Sequence, residues 1–254
     1  MKLFIGVALL TLSSIALGQN DYPKVSFEMG YNIQYTKMKK FNQYFIDSNF
    51  IKYSDINTPF KKLNDFNITF KIRPKPIVDI GLALAFLQGL KEGKPMLKTI
   101  DEDLNLIFKE GYRKLTVKSY NIGITNTWYI NRLFKFQEEK NILNKFDFGI
   151  DLLLGYALTT VNNEVHNTLK EPVGVNTAEW FTNDFYGKLG VNIEYILFSK
   201  SLFCSVGFKT GYQFHKTKAM KDRLDADYIK MPYNVPINLD FSGFYYGLYL
   251  KIGK

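Results

Sequence analysis

Along the stretch VSFEMGYNIQYT, Val25, Phe27, Met29, Tyr31, Ile33 and Tyr35 alternate with Ser26, Glu28, Gly30, Asn32, Gln34 and Thr36. A period of two puts the apolar set on one face of an extended chain and the polar set on the other. Seven further segments obey the same rule. Phe66, Ile68, Phe70 and Ile72 lead into RPKP, where Pro74 and Pro76 end ladder bonding. Val78, Ile80, Leu82, Leu84 and Phe86 resume the pattern at once, so the second and third segments read as a hairpin. In the fourth, Tyr120, Ile122, Ile124, Trp128 and Ile130 share a face, while Leu115 and Val117 stand out of phase, which predicts a β-bulge near Lys118. The remaining four carry Phe146 to Leu158, Phe185 to Tyr195, Leu202 to Phe214 and Phe244 to Ile252 at alternate positions.

The strands exceed the usual ~5–6 residues of a soluble sheet. Their connections alternate between long and short, with a medium one after the fourth strand. An even strand number, short turns at one end, long loops at the other and strands of about 9–11 residues are the marks of a membrane-spanning barrel. The predicted fold is all-β: a closed antiparallel up-and-down transmembrane β-barrel of eight strands, with long external loops and short periplasmic turns.

The alternative is a secreted, lipocalin-like barrel of eight strands with its apolar face inside. The polar face decides between them. Glycine recurs there (Gly30, Gly81, Gly123, Gly149, Gly155, Gly190, Gly207, Gly211, Gly247, Gly253), where a water-facing sheet would carry Lys, Glu and Thr. Glycine weakens a solvated strand and suits a lumen crowded by side chains. The apolar face has rings near strand ends (Phe27, Tyr35, Trp128, Phe146, Tyr156, Tyr195, Phe214, Phe244), as membrane interfaces favour.

The first residues, MKLFIGVALLTLSSIALGQN, read as a secretory signal peptide over 1–18: an early Lys2, a short apolar run and small residues before the junction. Residues 19–254 then form one barrel domain. Cys204 is the lone cysteine, so no internal disulfide framework exists. The formal charge of +9 is scattered through loops without a nucleic-acid-binding signature, so no nucleic-acid partner is expected.

The chain resembles the eight-stranded outer-membrane β-barrel domains of Gram-negative bacteria, of the general OmpA and OmpX type. The likeness spans the mature chain and includes the leader's Gly-Gln junction. The last strand keeps that family's alternate apolar positions, Tyr246, Leu248, Leu250 and Ile252, but ends in Lys254 where the family has a terminal aromatic. The resemblance implies an integral location in the outer membrane and delivery by the barrel insertion machinery.

Lumen-facing charges are expected at Glu28, Lys71, Asp79, Asp147, Asp151, Lys188, Glu194, Lys209 and Lys251, opposite signs sharing layers as a paired plug. Cations of the external loops, Lys91, Lys94, Lys98, Lys216, Lys218 and Lys221, are expected to contact lipopolysaccharide. His166 and His215 are the only histidines and read as solvated loop residues. No motif for catalysis, cofactor or metal binding is found, and the loop acids Asp101, Glu102 and Asp103 lack the spacing of a calcium loop. The expectation is a structural or binding protein of the outer membrane that is not an enzyme. The alternatives are an envelope or secretion-apparatus accessory with a protein partner, a small gated pore, or a lipid A-modifying enzyme.

Overall fold

The computed structural model describes residues 22–47, 59–94, 96–100, 106–133, 145–166, 178–199, 202–222 and 236–254. The leader read at 1–18 and the loop acids Asp101, Glu102 and Asp103 lie outside the described residues. Eight long strands make the body: β1 (Val25–Tyr35), β2 (Lys62–Lys75), β3 (Val78–Gly93), β4 (Tyr112–Tyr129), β5 (Phe146–His166), β6 (Ala178–Phe198), β7 (Phe203–Phe214) and β8 (Gly243–Gly253). Each pairs antiparallel with its neighbour in sequence, and β8 closes on β1 from Ser26 opposite Gly253 to Gln34 opposite Tyr245. The closed ring leaves no edge, so backbone polar groups pair around the barrel without solvent.

The apolar face points outward. Phe70, Leu82, Ile122, Ile124, Leu154, Leu189, Val191, Phe208 and Leu248 form an exposed band around the ring. Aromatic clusters bound it. Near the end that carries the described termini, Tyr22 and Lys254, Phe146 packs on Tyr195 with ring centroids 5.0 Å apart, and Trp128 is exposed on β4. Toward the far end, Phe86 meets Tyr120 at 5.1 Å, Tyr156 meets Phe185 at 5.4 Å and Tyr212 meets Phe244 at 5.2 Å.

The predicted bulge near Lys118 is absent. β4 pairs with β3 and β5 in unbroken register through that region, so Leu115 and Val117 keep the period and face inward, fully buried. What changes is the chemistry of the faces, which inverts beyond the upper rings. There Leu63, Leu87, Leu115, Val117 and Val161 point in, joined by Met38, Phe41, Phe45 and Phe60 from the β1–β2 connection and Met220, Ile237, Leu239 and Phe241 from the β7–β8 connection. This is a dry apolar core stacked on a polar lumen. The same inversion lengthens β5 and β6 beyond the sequence reading and leaves residues 167–177 between them, a shorter connection than expected.

Two pairs of facing glycines make room for rings inside. Gly123 lies opposite Gly155, and a Cβ on Gly155 would sit 2.5 Å from the Tyr186 ring. Gly190 lies opposite Gly211, and a Cβ on Gly211 would sit 2.8 Å from the Tyr245 hydroxyl.

Candidate functional site

The lumen is a stack of charge layers, each built from alternate positions of different strands. At the termini end, Asp147 on β5 takes a two-pronged contact from Arg132, which follows β4 in a short helical turn (Ile130–Leu133), with Nε donating to Oδ1 at 2.7 Å. The Arg132 guanidinium lies 3.4 Å from the centroid of the Tyr22 ring, so the segment before β1 helps seal this mouth. Just above, Asp79 accepts from Arg73 Nη2 at 2.8 Å, Lys251 Nζ at 2.8 Å and the Tyr129 hydroxyl at 2.7 Å. Lys251 also reaches Glu194 at 3.4 Å, and Glu194 accepts from Ser205 Oγ at 2.8 Å.

The middle layer centres on Glu28, which pairs with Lys71 at 2.7 Å and with Lys209. Asp151 accepts from Thr127 at 2.6 Å and Asn192 at 2.8 Å. Higher still, Lys188 donates to Asp65 at 2.6 Å, and Asn32 donates to the same oxygen at 3.0 Å. Six carboxylates (Glu28, Asp65, Asp79, Asp147, Asp151, Glu194) thus face six cations (Lys71, Arg73, Arg132, Lys188, Lys209, Lys251) in the described lower and middle lumen. Charges removed from water need partners, and formal balance supplies them. A cavity of about 40 Å³ among Glu28, Lys71, Asp151, Lys188, Lys209 and Tyr245 is room for a few waters.

All nine lumen charges named from sequence face the interior, and eight of them are buried, with Lys209 partly so. Sequence reasoning missed Asp65, Arg73 and Arg132. Asp65 was legible by carrying the alternation of Phe66 and Ile68 one step back; Arg73 and Arg132 were masked by the turn residues beside them.

The loop cations occupy varied settings. Lys94 pairs with Glu110 at 2.7 Å, both exposed. Lys91 stands 5.8 Å from the Phe60 ring. Lys98 lies in a small hairpin, Met96–Ile100 with Leu106–Glu110. Lys216 and Lys218 are exposed on a short strand (Lys216–Ala219) whose Thr217 is buried, and Lys221 follows on a strand (Lys221–Asp222) that pairs onto β6.

His215 departs from the solvated reading. It is 2% exposed, its ring stacks on Phe241 at 4.8 Å and lies 5.8 Å from Tyr186. Its backbone N–H donates to Ser242 Oγ at 3.0 Å, and its carbonyl accepts from Phe241 N–H at 2.8 Å. These bonds turn the chain under the apolar core, which is why a histidine directly after a barrel strand is not at a loop tip. His166 ends β5 opposite Tyr112.

Burial above all, aided by Lys188 and opposed by Asp184 and Asp240, brings the His215 imidazole down to about 4. The folded value lies below the unfolded one of about 6.5, so this stability is complete above pH 6.5, is lost as pH falls toward 4, and levels off below. The expected loss is on the order of 3 kcal/mol. A fall in hydrogen-exchange protection of the Met220 and Phe241 amides over that window, absent in His215→Phe, is the expected result; an unchanged slope in the variant refutes it.

No family model matches the chain, and no curated protein matches it. Among solved structures it is similar to Ail, the attachment invasion locus protein of Yersinia pestis, in complex with the heparin analogue sucrose octasulfate, at 10% identity over 90% of this chain and 94% of that one, with a TM-score of 0.39. It is also similar to the outer membrane protease OmpT from Escherichia coli, at 10% identity over 93% and 96%, with a TM-score of 0.30. The expectation that the chain is not an enzyme is withdrawn: small barrels of one architecture host both binding and catalytic roles, so absence of catalysis does not follow from the barrel.

Proposed function

We propose that this chain is an integral outer-membrane barrel of the OmpA and OmpX type whose lumen is a structural fill and whose work is binding at its outer end. The observation that carries the reading is the pairing of an exposed apolar belt with a lumen occupied along its height. The belt suits hydrocarbon, because every backbone group is satisfied within the ring. The lumen is blocked by Tyr22 and two arginines at the termini end, by ion pairs in the middle, and by the core around Phe41, Phe45 and Phe60 at the far end.

Short turns and termini lie on the periplasmic side in this reading, and the core, the loops and their lysines lie outside. The leader at 1–18, the barrel insertion machinery and an envelope protein partner belong to the same proposal. Lys91, Lys94, Lys98, Lys216, Lys218 and Lys221 are proposed to face the phosphates of lipopolysaccharide, to which near-surface cations are attracted by about 1 kcal/mol each.

The test is reconstitution into a planar bilayer. The protein is expected to insert, judged by compact unboiled mobility on a denaturing gel, and to add no conductance steps above the lipid baseline. Resolved steps that shift on Lys209→Gln would make the barrel a pore and overturn the reading.

A further inference from the structure

The outward face of β7, β8, β1 and β2 carries an arrangement at the far rim that the lumen does not use. Lys62 Nζ stands 5.1 Å from the centroid of the Tyr35 ring, and Lys37 Nζ stands 5.8 Å from that of Tyr212. Between these pairs, Tyr35 meets Tyr246 at 6.1 Å and Tyr212 meets Phe244 at 5.2 Å. The barrel register fixes the arc, with Tyr35 opposite Lys62 and Phe244 opposite Tyr212 on neighbouring strands. Both lysines are exposed.

Lys37 is anchored by its backbone. Its N–H donates to Asp240 O at 3.1 Å, and that of Thr36 donates to Lys61 O at 3.0 Å. The carboxylate of Asp240 accepts from the Ser242 N–H at 3.0 Å, and its charge also favours the ammonium form of Lys37. Below the rings the face turns apolar through Tyr31, Met29 and Leu248, all exposed.

An ammonium over a ring face is held at the border between apolar and polar surroundings, and aromatic rings themselves favour that border. Two such ammoniums above a continuous ring surface match a ligand with a phosphate head and hydrocarbon tails. We propose that this arc binds the phosphorylated headgroup of an outer-leaflet glycolipid, its phosphates drawn to Lys37 and to Lys62 and an acyl chain lying along Tyr246 and Leu248. The proposal rests on the outer-membrane reading above and assigns the contact to one side of the barrel wall, apart from the loop lysines.

The experiment is native mass spectrometry of the whole barrel released from neutral detergent, mixed in separate arms with diphosphorylated lipid A, with the same lipid stripped of phosphate, and with inorganic phosphate. The expected result is a one-to-one adduct with the phosphorylated lipid about tenfold or more above the stripped lipid, and none with phosphate alone. Lys37→Gln with Lys62→Gln is expected to reduce the adduct about tenfold, and Lys37→Arg with Lys62→Arg to retain it. Heat-modifiable mobility shows that each variant is folded. Equal retention of the stripped lipid, or a full adduct in the glutamine variant, overturns the site. Failure of the protein to enter bilayers overturns the membrane reading instead, so the two failures are separable.

Discussion

Asp79→Ala is expected to destabilise the barrel by about 3–5 kcal/mol, the loss typical when one member of a buried ion pair is removed and its partners stay. Asp79 is 1% exposed and neutralises Arg73 and Lys251 together. Without it Lys251 keeps Glu194 at 3.4 Å, the Tyr129 hydroxyl and the Phe203 ring, and Arg73 keeps the rings of Tyr129 and Tyr22, 4.4 and 5.7 Å from its guanidinium carbon. Two cations then sit in low dielectric with less than their formal compensation. Tryptophan fluorescence through a urea titration in detergent micelles measures the loss, since Trp128 and Trp180 lie on β4 and β6.

Two controls separate this from generic damage. Lys94→Ala breaks an exposed pair with Glu110 and is expected to change stability by less than about 1 kcal/mol. Asp79→Ala with Lys251→Met removes a positive and a negative charge together, so its loss should be smaller than the sum of the two single changes. A loss for Asp79→Ala no larger than that for Lys94→Ala would show that the ion layer is not what holds the lower barrel together.

The eight strands and their outward face were legible because one periodicity repeats from Val25 to Gly253, and because the outward positions are apolar along most of it, with Asn126 and Thr210 among the exceptions. The inversion at the upper rings was not. Leu115 and Val117 are one step out of phase with Tyr120 and Ile122, and a chain with one apolar face can explain that only by an extra residue. The register shows no extra residue: the apolar face itself moves from lipid side to lumen side where a second, inner core begins. That core draws on Phe41, Phe45 and Phe60 and on Ile237, Leu239 and Phe241, which belong to connections with no periodic signature. Asn42 fastens the first group, donating to Phe60 O at 3.1 Å and accepting from Phe60 N–H at 2.8 Å. A long-range clamp of this kind leaves no trace in local sequence. The lumen charges fell between these cases, since parity placed Glu28 or Lys251 inside, but pairing depends on the stagger between strands. Lys209 reaches Glu28, a partner 181 positions away.

The outward face allows the most discriminating change. Ile124→Arg is expected to cost about 2–4 kcal/mol in a bilayer, the penalty for arginine on the lipid side near mid-depth of such a barrel. Ile124 is 61% exposed on β4, between Leu82 of β3 and Leu154 of β5, and lies midway between Trp128 and Tyr120 along its strand. Were that face in water, an arginine at so open a position would change stability by no more than about 0.5 kcal/mol. The two environments therefore differ severalfold in outcome, measured by the folded fraction in vesicles against urea. Depth gives a second constraint: Tyr120→Arg, four residues nearer the lysine-bearing rim, should cost only about 0–1 kcal/mol beyond the lost ring contact with Phe86, because the guanidinium can reach the headgroups. A penalty that is large at Ile124 and falls toward Tyr120 requires a hydrocarbon layer centred on the apolar band. Equal small penalties at both sites would place the band in water and remove the basis for binding at an outer leaflet.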